Sequence, residues 1–198
     1  MKRHTSYLFV LFNFLLTLAY VQDSDAKTIK LLQALKSQEH IILLRHSIAP
    51  GFGDPKNFDI SNCKTQRNLS KKGIDQAQKI GVFLRQVGYK KVTIYSSEWC
   101  RCKDTAKALS LGKYKTLNLL NSFFSNISNG YQQTLTLEKW IKKLPMNEPT
   151  ILVTHQVNIT ALTGYSPSQG EIILLKKLKA GKTKIIGTIV ADKLKSLI

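Results

Sequence analysis

The apolar run Ile41-Ile42-Leu43-Leu44, which ends abruptly in Arg45 and His46, constrains the fold of this chain more than any other stretch. Such a run is typical of a short strand that is buried on both faces. In open sheets covered by helices, ligands bind beyond the carboxyl ends of the strands. The Arg-His pair is therefore a candidate binding site. The alternative is that two polar residues simply end the strand in solvent.

Strand-like and helix-like segments alternate along the rest of the sequence. Apolar runs predict further strands at 92–95, 114–120, 150–154, 171–175 and 184–190. Amphipathic patterns predict helices at 27–38, from Ser70 to near Gly88, at 98–109, at 135–144 and from 157. This alternation predicts an α/β fold with a mainly parallel sheet, in which the last two strands form a hairpin.

The first 26 residues have the pattern of a signal peptide. A basic start is followed by the apolar segment Tyr7–Tyr20 and by small residues at Ser24 and Ala26. As a helix that segment would be roughly 21 Å long, shorter than the ~30 Å hydrocarbon core. We therefore predict cleavage, a mature domain of residues 27–198, no membrane span after cleavage, and a periplasmic or secreted protein. An uncleaved anchor is the alternative.

The net charge of +18 on 198 residues favours anionic partners. The lysines are spread over the chain and are denser near its C-terminus, at Lys176, Lys177, Lys179, Lys182 and Lys184. They are not interleaved with aromatic residues, which argues against nucleic acid. A small phosphorylated substrate and an anionic envelope surface remain as partners, with a merely solvated surface as the alternative.

Export makes the three cysteines informative, because an oxidising compartment permits one disulfide and leaves one thiol. Cys63 is expected to pair with Cys100 or with Cys102. The Cys-Arg-Cys spacing is not that of a zinc site, and no histidine cluster accompanies it.

Two more predicted strands end in groups like those of the first. Ser96-Ser97 follows one, with Arg101 a turn into the next helix, and His155 follows the strand at 150–154. If these strands are parallel neighbours, two arginines and two histidines meet at one sheet edge. Arginine forks match phosphate oxygens and a neutral histidine is nucleophilic. The set would therefore suit phosphoryl transfer through a phosphohistidine.

Four segments, in order, resemble the histidine phosphatase superfamily in its phosphoglycerate-mutase-like branch. They are Leu44-Arg45-His46-Ser47, the helix start Leu69–Ala77, the segment Ser96–Ala106, and Val153-Thr154-His155-Gln156. The resemblance covers nearly all of the predicted mature chain. It implies a three-layer α/β/α sandwich and phosphatase chemistry without metal or other cofactor.

The resemblance also implies roles for individual residues. His46 would be the phosphorylated nucleophile, Arg45 and Arg101 would clamp the phosphoryl oxygens, and His155 would donate to the same group. Water would then hydrolyse the phosphohistidine. The further candidates for substrate binding are Arg67, Gln156, Asn158 and Ser122. A surface position for Arg67 and helix capping by Asn158 are the rival interpretations.

Three positions depart from the family pattern. Ser47 and Gln156 each replace a glycine, and Ser122 stands where related mutases carry a glutamate that donates a proton. A serine cannot act as a general acid near neutral pH. Asp54, Glu98 and Glu171 are therefore the candidate proton donors, although Glu98 could instead stabilise the N-terminus of its helix.

The sequence thus predicts an exported, metal-independent phosphatase that hydrolyses a phosphomonoester, rather than a glycolytic mutase. The alternative is a non-catalytic protein that retains the pocket and binds a phosphate ligand or the envelope. Nucleic-acid binding through the Lys-rich C-terminal part is a third hypothesis, which export makes the weakest.

Overall fold

A computed structural model of the protein describes residues 28–37, 40–145, 149–178 and 183–197. The predicted signal peptide, residues 1–26, lies outside the described residues, as do Lys179 and Lys182 of the Lys-rich part. None of the described helices is long and apolar enough to cross a membrane.

Within the described residues, helices alternate with six strands. The strands are β1 (Ile41–Arg45), β2 (Thr93–Ser96), β3 (Tyr114–Thr116), β4 (Thr150–Thr154), β5 (Ile172–Lys177) and β6 (Thr183–Ile189). They form one mixed sheet in the order β3-β2-β4-β1-β5-β6. The helices are α1 (28–37), α2 (Lys71–Gln86), α3 (Cys100–Ala108), α4 (Gly130–Lys143) and α5 (Gln156–Thr163). Short 3-10 turns occupy Cys63–Thr65, Asn118–Leu120, Ile127–Asn129 and Ala191–Leu197.

Strands β1 to β4 are parallel, and β5 and β6 add an antiparallel hairpin. Strand β4 lies between β1 and β2, pairing Arg45 with Thr154 and Ser96 with Val153. All three of these central strands therefore end at the same edge of the sheet. The predicted α/β fold with a mainly parallel sheet is confirmed.

Alternate residues of the strands pack into two separate hydrophobic cores, one on each face of the sheet. The fold therefore has three layers, with helices on both sides of the sheet. In β1, Ile42 and Leu44 pack with α1, α2 and α3, whereas Ile41 and Leu43 pack with α4 and α5 on the opposite face. A strand covered by helices on both faces has to be apolar at every position. This requirement accounts for the unbroken apolar run that precedes Arg45.

Two elements differ from the sequence prediction by several residues at one end. Strand β3 ends at Thr116 rather than at 120, because its neighbour β2 ends at Ser96, the partner of Thr116. The chain continues as the 3-10 turn Asn118–Leu120. Helix α4 begins at Gly130 rather than at 135. The ring of Phe123 packs so closely on Gly130 that a Cβ there would lie 2.8 Å from it.

One of the two expected cysteine pairings is present. A disulfide joins Cys63, in the loop after β1, to Cys100 at the start of α3, and Cys102 is a buried free thiol. The bond fastens the loop between β1 and α2 to the helix that carries Arg101.

Candidate active site

The shared edge of β1, β4 and β2 brings together the polar residues that follow these strands. The backbone N–H of His46 donates to the Thr154 carbonyl at 2.9 Å, and that of Ser97 donates to the Val153 carbonyl at 3.0 Å. The imidazole rings of His46 and His155 consequently lie 5.5 Å apart, edge to face. Parallel pairing, rather than proximity in sequence, creates this site.

His46 is held as a neutral imidazole with a free Nε2. Its Nδ1 lies 2.9 Å from the Ser47 carbonyl oxygen, which can only accept, so Nδ1 carries the proton. Burial, followed by the charges of Arg101, Arg45 and Arg67, lowers the pKa of His46 to about 3 despite the opposing Ser47 hydrogen bond. Nε2 therefore has a lone pair available for nucleophilic attack.

His155 has the opposite orientation of donor and acceptor. Nδ1 lies 3.5 Å from Nη2 of Arg101, which can only donate, so Nδ1 accepts and Nε2 carries the proton. Nε2 donates to Ser97 Oγ at 2.9 Å and lies 3.5 Å from the Cys102 sulfur. Burial, followed by the charge of His46 and then those of the arginines, holds the pKa of His155 well below its ordinary value.

Three arginines surround the histidines with guanidinium groups that are only partly used. Arg45 donates from Nη1 to the Pro167 carbonyl at 2.8 Å. Arg67 donates to the carbonyls of Gly53 and Ala49, which fasten it to the loop after β1. Within the described part of the chain, the Nε–H groups of Arg45 and Arg101 are buried without a hydrogen-bond partner. Unsatisfied cationic donors beside a neutral histidine suit an anion such as phosphate.

Asp54 lies directly on this arginine cluster. Its Oδ1 accepts from Arg101 Nη1 at 2.7 Å and from the Arg67 backbone at 3.0 Å. Its Oδ2 accepts from Arg101 Nη2 at 3.2 Å and from the Trp99 indole at 3.1 Å. Although burial opposes the shift, these hydrogen bonds and the charge of Arg101 lower the pKa of Asp54.

A cavity of about 610 Å³ opens over these groups. Its wall includes all four predicted catalytic residues, three of the four predicted substrate-binding residues and one predicted proton donor. They are Arg45, His46, Arg101, His155, Arg67, Gln156, Ser122 and Asp54. The described residues contain no cluster of three or more histidine, cysteine or acidic side chains that could hold a metal ion.

Three predicted site residues lie outside the cavity wall. Asn158 is buried and donates to the backbone carbonyl of Asn121 at 2.9 Å, which fixes the loop that follows β3. Glu98 accepts from the Asn121 side chain at 2.6 Å. Glu171 is buried and accepts from the Tyr165 hydroxyl at 2.6 Å and the Ser168 backbone at 2.7 Å. Of the predicted proton donors, only Asp54 therefore reaches the cavity.

Two residues that shape or support the site, Trp99 and Thr105, are not among the residues predicted from the sequence. Trp99 stacks on Phe58, contacts the ring of His155 and holds Asp54 through its indole N–H. Thr105 accepts from the Ser47 backbone at 3.0 Å and so helps position the residue after His46. Both lie inside the Ser96–Ala106 segment, so that segment was the signal, although nothing in its pattern shows which side chains face the cavity.

The sequence model of the histidine phosphatase superfamily (branch 1) matches residues 41–147, more than half of the chain. This segment contains Arg45, His46 and Arg101, whereas His155 lies beyond it. No curated protein matches the chain.

Solved structures of the same architecture are similar over most of the chain. The protein histidine phosphatase SixA complexed with tungstate aligns with a TM-score of 0.56 at 15% identity, covering 78% of this chain and 99% of that one. Phosphoserine phosphatase from Entamoeba histolytica, in complex with 3-phosphoglyceric acid, aligns with a TM-score of 0.55 at 15% identity, covering 78% and 98%. At this identity the likeness establishes the fold.

Proposed function

This chain belongs to the histidine phosphatase superfamily, branch 1, and we propose that it hydrolyses a phosphomonoester through a phosphohistidine on His46. The observation that carries the proposal is the neutral His46, with its free Nε2, among Arg45, Arg67 and Arg101 at the base of an open cavity. No metal ion takes part in the proposed reaction, because fixed guanidinium groups supply the positive charge.

In the first step, Nε2 of His46 attacks the phosphorus atom while the bond to the ester oxygen breaks. Arg45 and Arg101 bind the phosphoryl oxygens, and their charges stabilise the transition state. Burial and then the charges of His46 and the arginines lower the pKa of His155, and a bound dianion favours its protonation because the negative charge opposes those positive charges. The imidazolium then donates from Nδ1 to a phosphoryl oxygen.

In the second step, water attacks the phosphorus atom of the phosphohistidine and the P–N bond breaks, while the carboxylate that gave its proton to the leaving group takes up a proton from the water. Inorganic phosphate leaves, and His46 returns to the neutral imidazole that the Ser47 carbonyl orients. The same arginines stabilise both steps, since the charge on the transferring group is similar in each.

We assign the leaving-group proton to Asp54, the one predicted donor in the cavity wall. In the free protein its pKa is lowered by Arg101. A phosphate dianion that binds Arg101 competes for that guanidinium and adds negative charge beside Asp54, and both effects raise a carboxyl pKa. Substrate binding would therefore favour the protonated form of the Asp54 carboxyl, which can donate its proton to the leaving group.

The proposal is tested with purified protein and 4-nitrophenyl phosphate in the presence of EDTA. We expect turnover by the wild type, loss of at least about 10³-fold with His46→Ala, and a phosphorylated His46 in samples quenched in alkali. Turnover that is equal in His46→Ala would refute it. Saturable phosphate binding that needs Arg45 and Arg101, without turnover or phosphohistidine, would instead establish the non-catalytic alternative.

We also propose that the protein is exported after cleavage near residue 26. The basic and apolar pattern of residues 1–26 supports this, and so does the Cys63–Cys100 pair, because disulfides persist in oxidising compartments. Mass spectrometry of the protein from its native host gives the test. A mature N-terminus near Lys27 is expected, whereas an intact Met1 in the cytosolic fraction would contradict the proposal.

Association with an anionic envelope surface is a separate proposal that rests on charge. The net charge is +18, and Lys176 and Lys184 on the β5–β6 hairpin are exposed. Binding to vesicles that contain anionic lipid should weaken as salt rises. Equal binding to neutral vesicles would contradict it.

A further inference from the structure

Two phenylalanine side chains from different loops meet at the rim of the cavity. Phe52 lies in the loop after β1 and Phe124 in the loop before α4, and their ring centroids are 5.1 Å apart in an edge-to-face arrangement. Both line the cavity, yet 87% of Phe52 and 42% of Phe124 is exposed. Side chains that line a cavity and remain this exposed stand at its mouth.

The backbone holds Phe52 in this outward position. Gly51 and Gly53, on either side of it, have φ angles of +92° and +67°, a region that favours glycine. Arg67 fastens this turn, because its guanidinium donates to the Gly53 carbonyl at 2.9 Å and to the Ala49 carbonyl. The loop that presents the ring is thus anchored to an arginine of the cavity wall.

Stabilisation of the fold does not account for the pair. Phe52 buries little of its surface, and burial is the source of an aromatic residue's contribution to folding. Two rings that remain partly exposed at a cavity mouth offer apolar faces to a bound molecule. The phosphoryl group binds at the base of the cavity, among the arginines, so the leaving group of a bound phosphomonoester has to extend toward this mouth.

We propose that Phe52 and Phe124 form a leaving-group subsite that selects phosphomonoesters whose alcohol carries a ring with a flat apolar face. This proposal rests on the proposed function, since it assigns the alcohol side of the same substrate. Aromatic rings and the C–H faces of saturated rings both pack well on phenylalanine. Small polar leaving groups such as that of phosphoserine gain nothing from it.

The test uses phosphonates, whose P–C bond is not hydrolysed, so that binding is measured without turnover. Dissociation constants of methylphosphonate, phenylphosphonate and cyclohexylphosphonate are determined by calorimetry for the wild type and for Phe52→Ala and Phe124→Ala. Tyr131→Ala is the matched control, because Tyr131 is 76% exposed and does not line the cavity.

We expect the wild type to bind at least one ring-bearing phosphonate about five- to tenfold more tightly than methylphosphonate. Each phenylalanine variant should reduce this preference to less than about twofold and leave the methylphosphonate constant unchanged. An advantage for phenylphosphonate alone assigns the subsite to aromatic rings. An equal advantage for cyclohexylphosphonate assigns it to flat rings in general, sugars included.

Binding of methylphosphonate without any ring preference would overturn the subsite and leave the phosphate pocket intact. Retention of the preference in both phenylalanine variants, or its loss in Tyr131→Ala, would also overturn it. Ring preference in a protein that turns over no phosphomonoester would refute the proposed function alone. The two proposals therefore fail in different ways.

Discussion

The Asp54 carboxylate makes an end-on, bidentate contact with the Arg101 guanidinium, with Oδ1 2.7 Å from Nη1 and Oδ2 3.2 Å from Nη2. This is the paired geometry with which arginine also binds phosphate. In the free protein, Asp54 therefore occupies the donors of Arg101 that a phosphoryl group would use. Substrate has to share or displace this contact, which links phosphate binding to the protonation of Asp54.

Asp54→Asn should separate proton donation from mere positioning of Arg101. If Asp54 protonates the leaving group, the variant should lose about 10²–10⁴-fold in kcat with an alkyl phosphomonoester but less than about tenfold with 4-nitrophenyl phosphate, whose nitrophenolate needs little protonation. Steady-state kinetics with both substrates gives the ratio. Equal losses with the two substrates would show that Asp54 only positions Arg101.

The buried neutral histidines should make folding stability depend on pH. The pKa of His46 is about 3 in the folded protein and that of His155 is well below its ordinary value, whereas both are near 6.5 in the unfolded chain. Between these values the unfolded chain binds more protons. The stability is therefore complete above pH 6.5 and is lost as pH falls below it.

Urea unfolding between pH 7 and 4.5 measures this loss, which should approach ~1.4 kcal/mol per pH unit for each histidine. His46→Gln should lower the slope by about the share of one histidine. Above pH 4.5 Asp54 contributes little, because its effect begins only near and below its unfolded pKa of about 3.9. An unchanged slope in His46→Gln would mean that His46 is protonated in the folded protein.

The three cysteines should react differently with a thiol reagent, because two of them form a disulfide and the third is a buried thiol. Burial raises the pKa of Cys102 to about 12, so a thiol reagent should label no cysteine in the native protein, one after unfolding and three after unfolding with reductant. The double variant Cys63→Ser/Cys100→Ser removes a cross-link between residues 37 positions apart, which restricts the unfolded chain. It should therefore lower the free energy of unfolding by about 2–4 kcal/mol. Labelling of two thiols without reductant would contradict the pairing.

The sequence predicts the base of the site well, because the relevant signal is local. Apolar runs identify strands buried on both faces, and parallel strands place their carboxyl ends together, so Arg45, His46 and His155 could be assigned to one edge before the structure was known. Arg101, a turn into the helix that follows another of these strands, is assigned to the same edge in the same way, and the family motifs add the chemical roles of the four residues. Sheet order itself follows from chain-wide packing, which no single run encodes.

Loop contacts could not be predicted in the same way. Asp54 is 47 positions from Arg101 along the chain. Nothing in the Gly-Asp-Pro segment shows that its carboxylate reaches α3, the helix that the disulfide joins to the loop after β1. Asn158 and Glu171 illustrate the converse. Polar residues near strand ends look like substrate contacts, but these two satisfy buried backbone and hydroxyl groups.

The glycine pattern of α2 leads to a final prediction about how the helix positions His46. A Cβ on Gly73 would lie 2.1 Å from the backbone oxygen of Ile48, two residues after His46, and one on Gly81 would lie 1.9 Å from the backbone oxygen of Leu109. Neither contact can be relieved by a side-chain rotation. Alanine usually stabilises a helix by about 1 kcal/mol over glycine, but here both Gly73→Ala and Gly81→Ala should lower the free energy of unfolding by about 1–3 kcal/mol.

Only Gly73→Ala displaces the segment after the nucleophile, so it alone should also reduce kcat for the folded enzyme. Urea unfolding and kinetics at saturating substrate, with the exposed Lys72→Ala as a neutral control, separate the two effects; a Gly73→Ala enzyme that is stable and fully active would show that α2 does not set the position of His46.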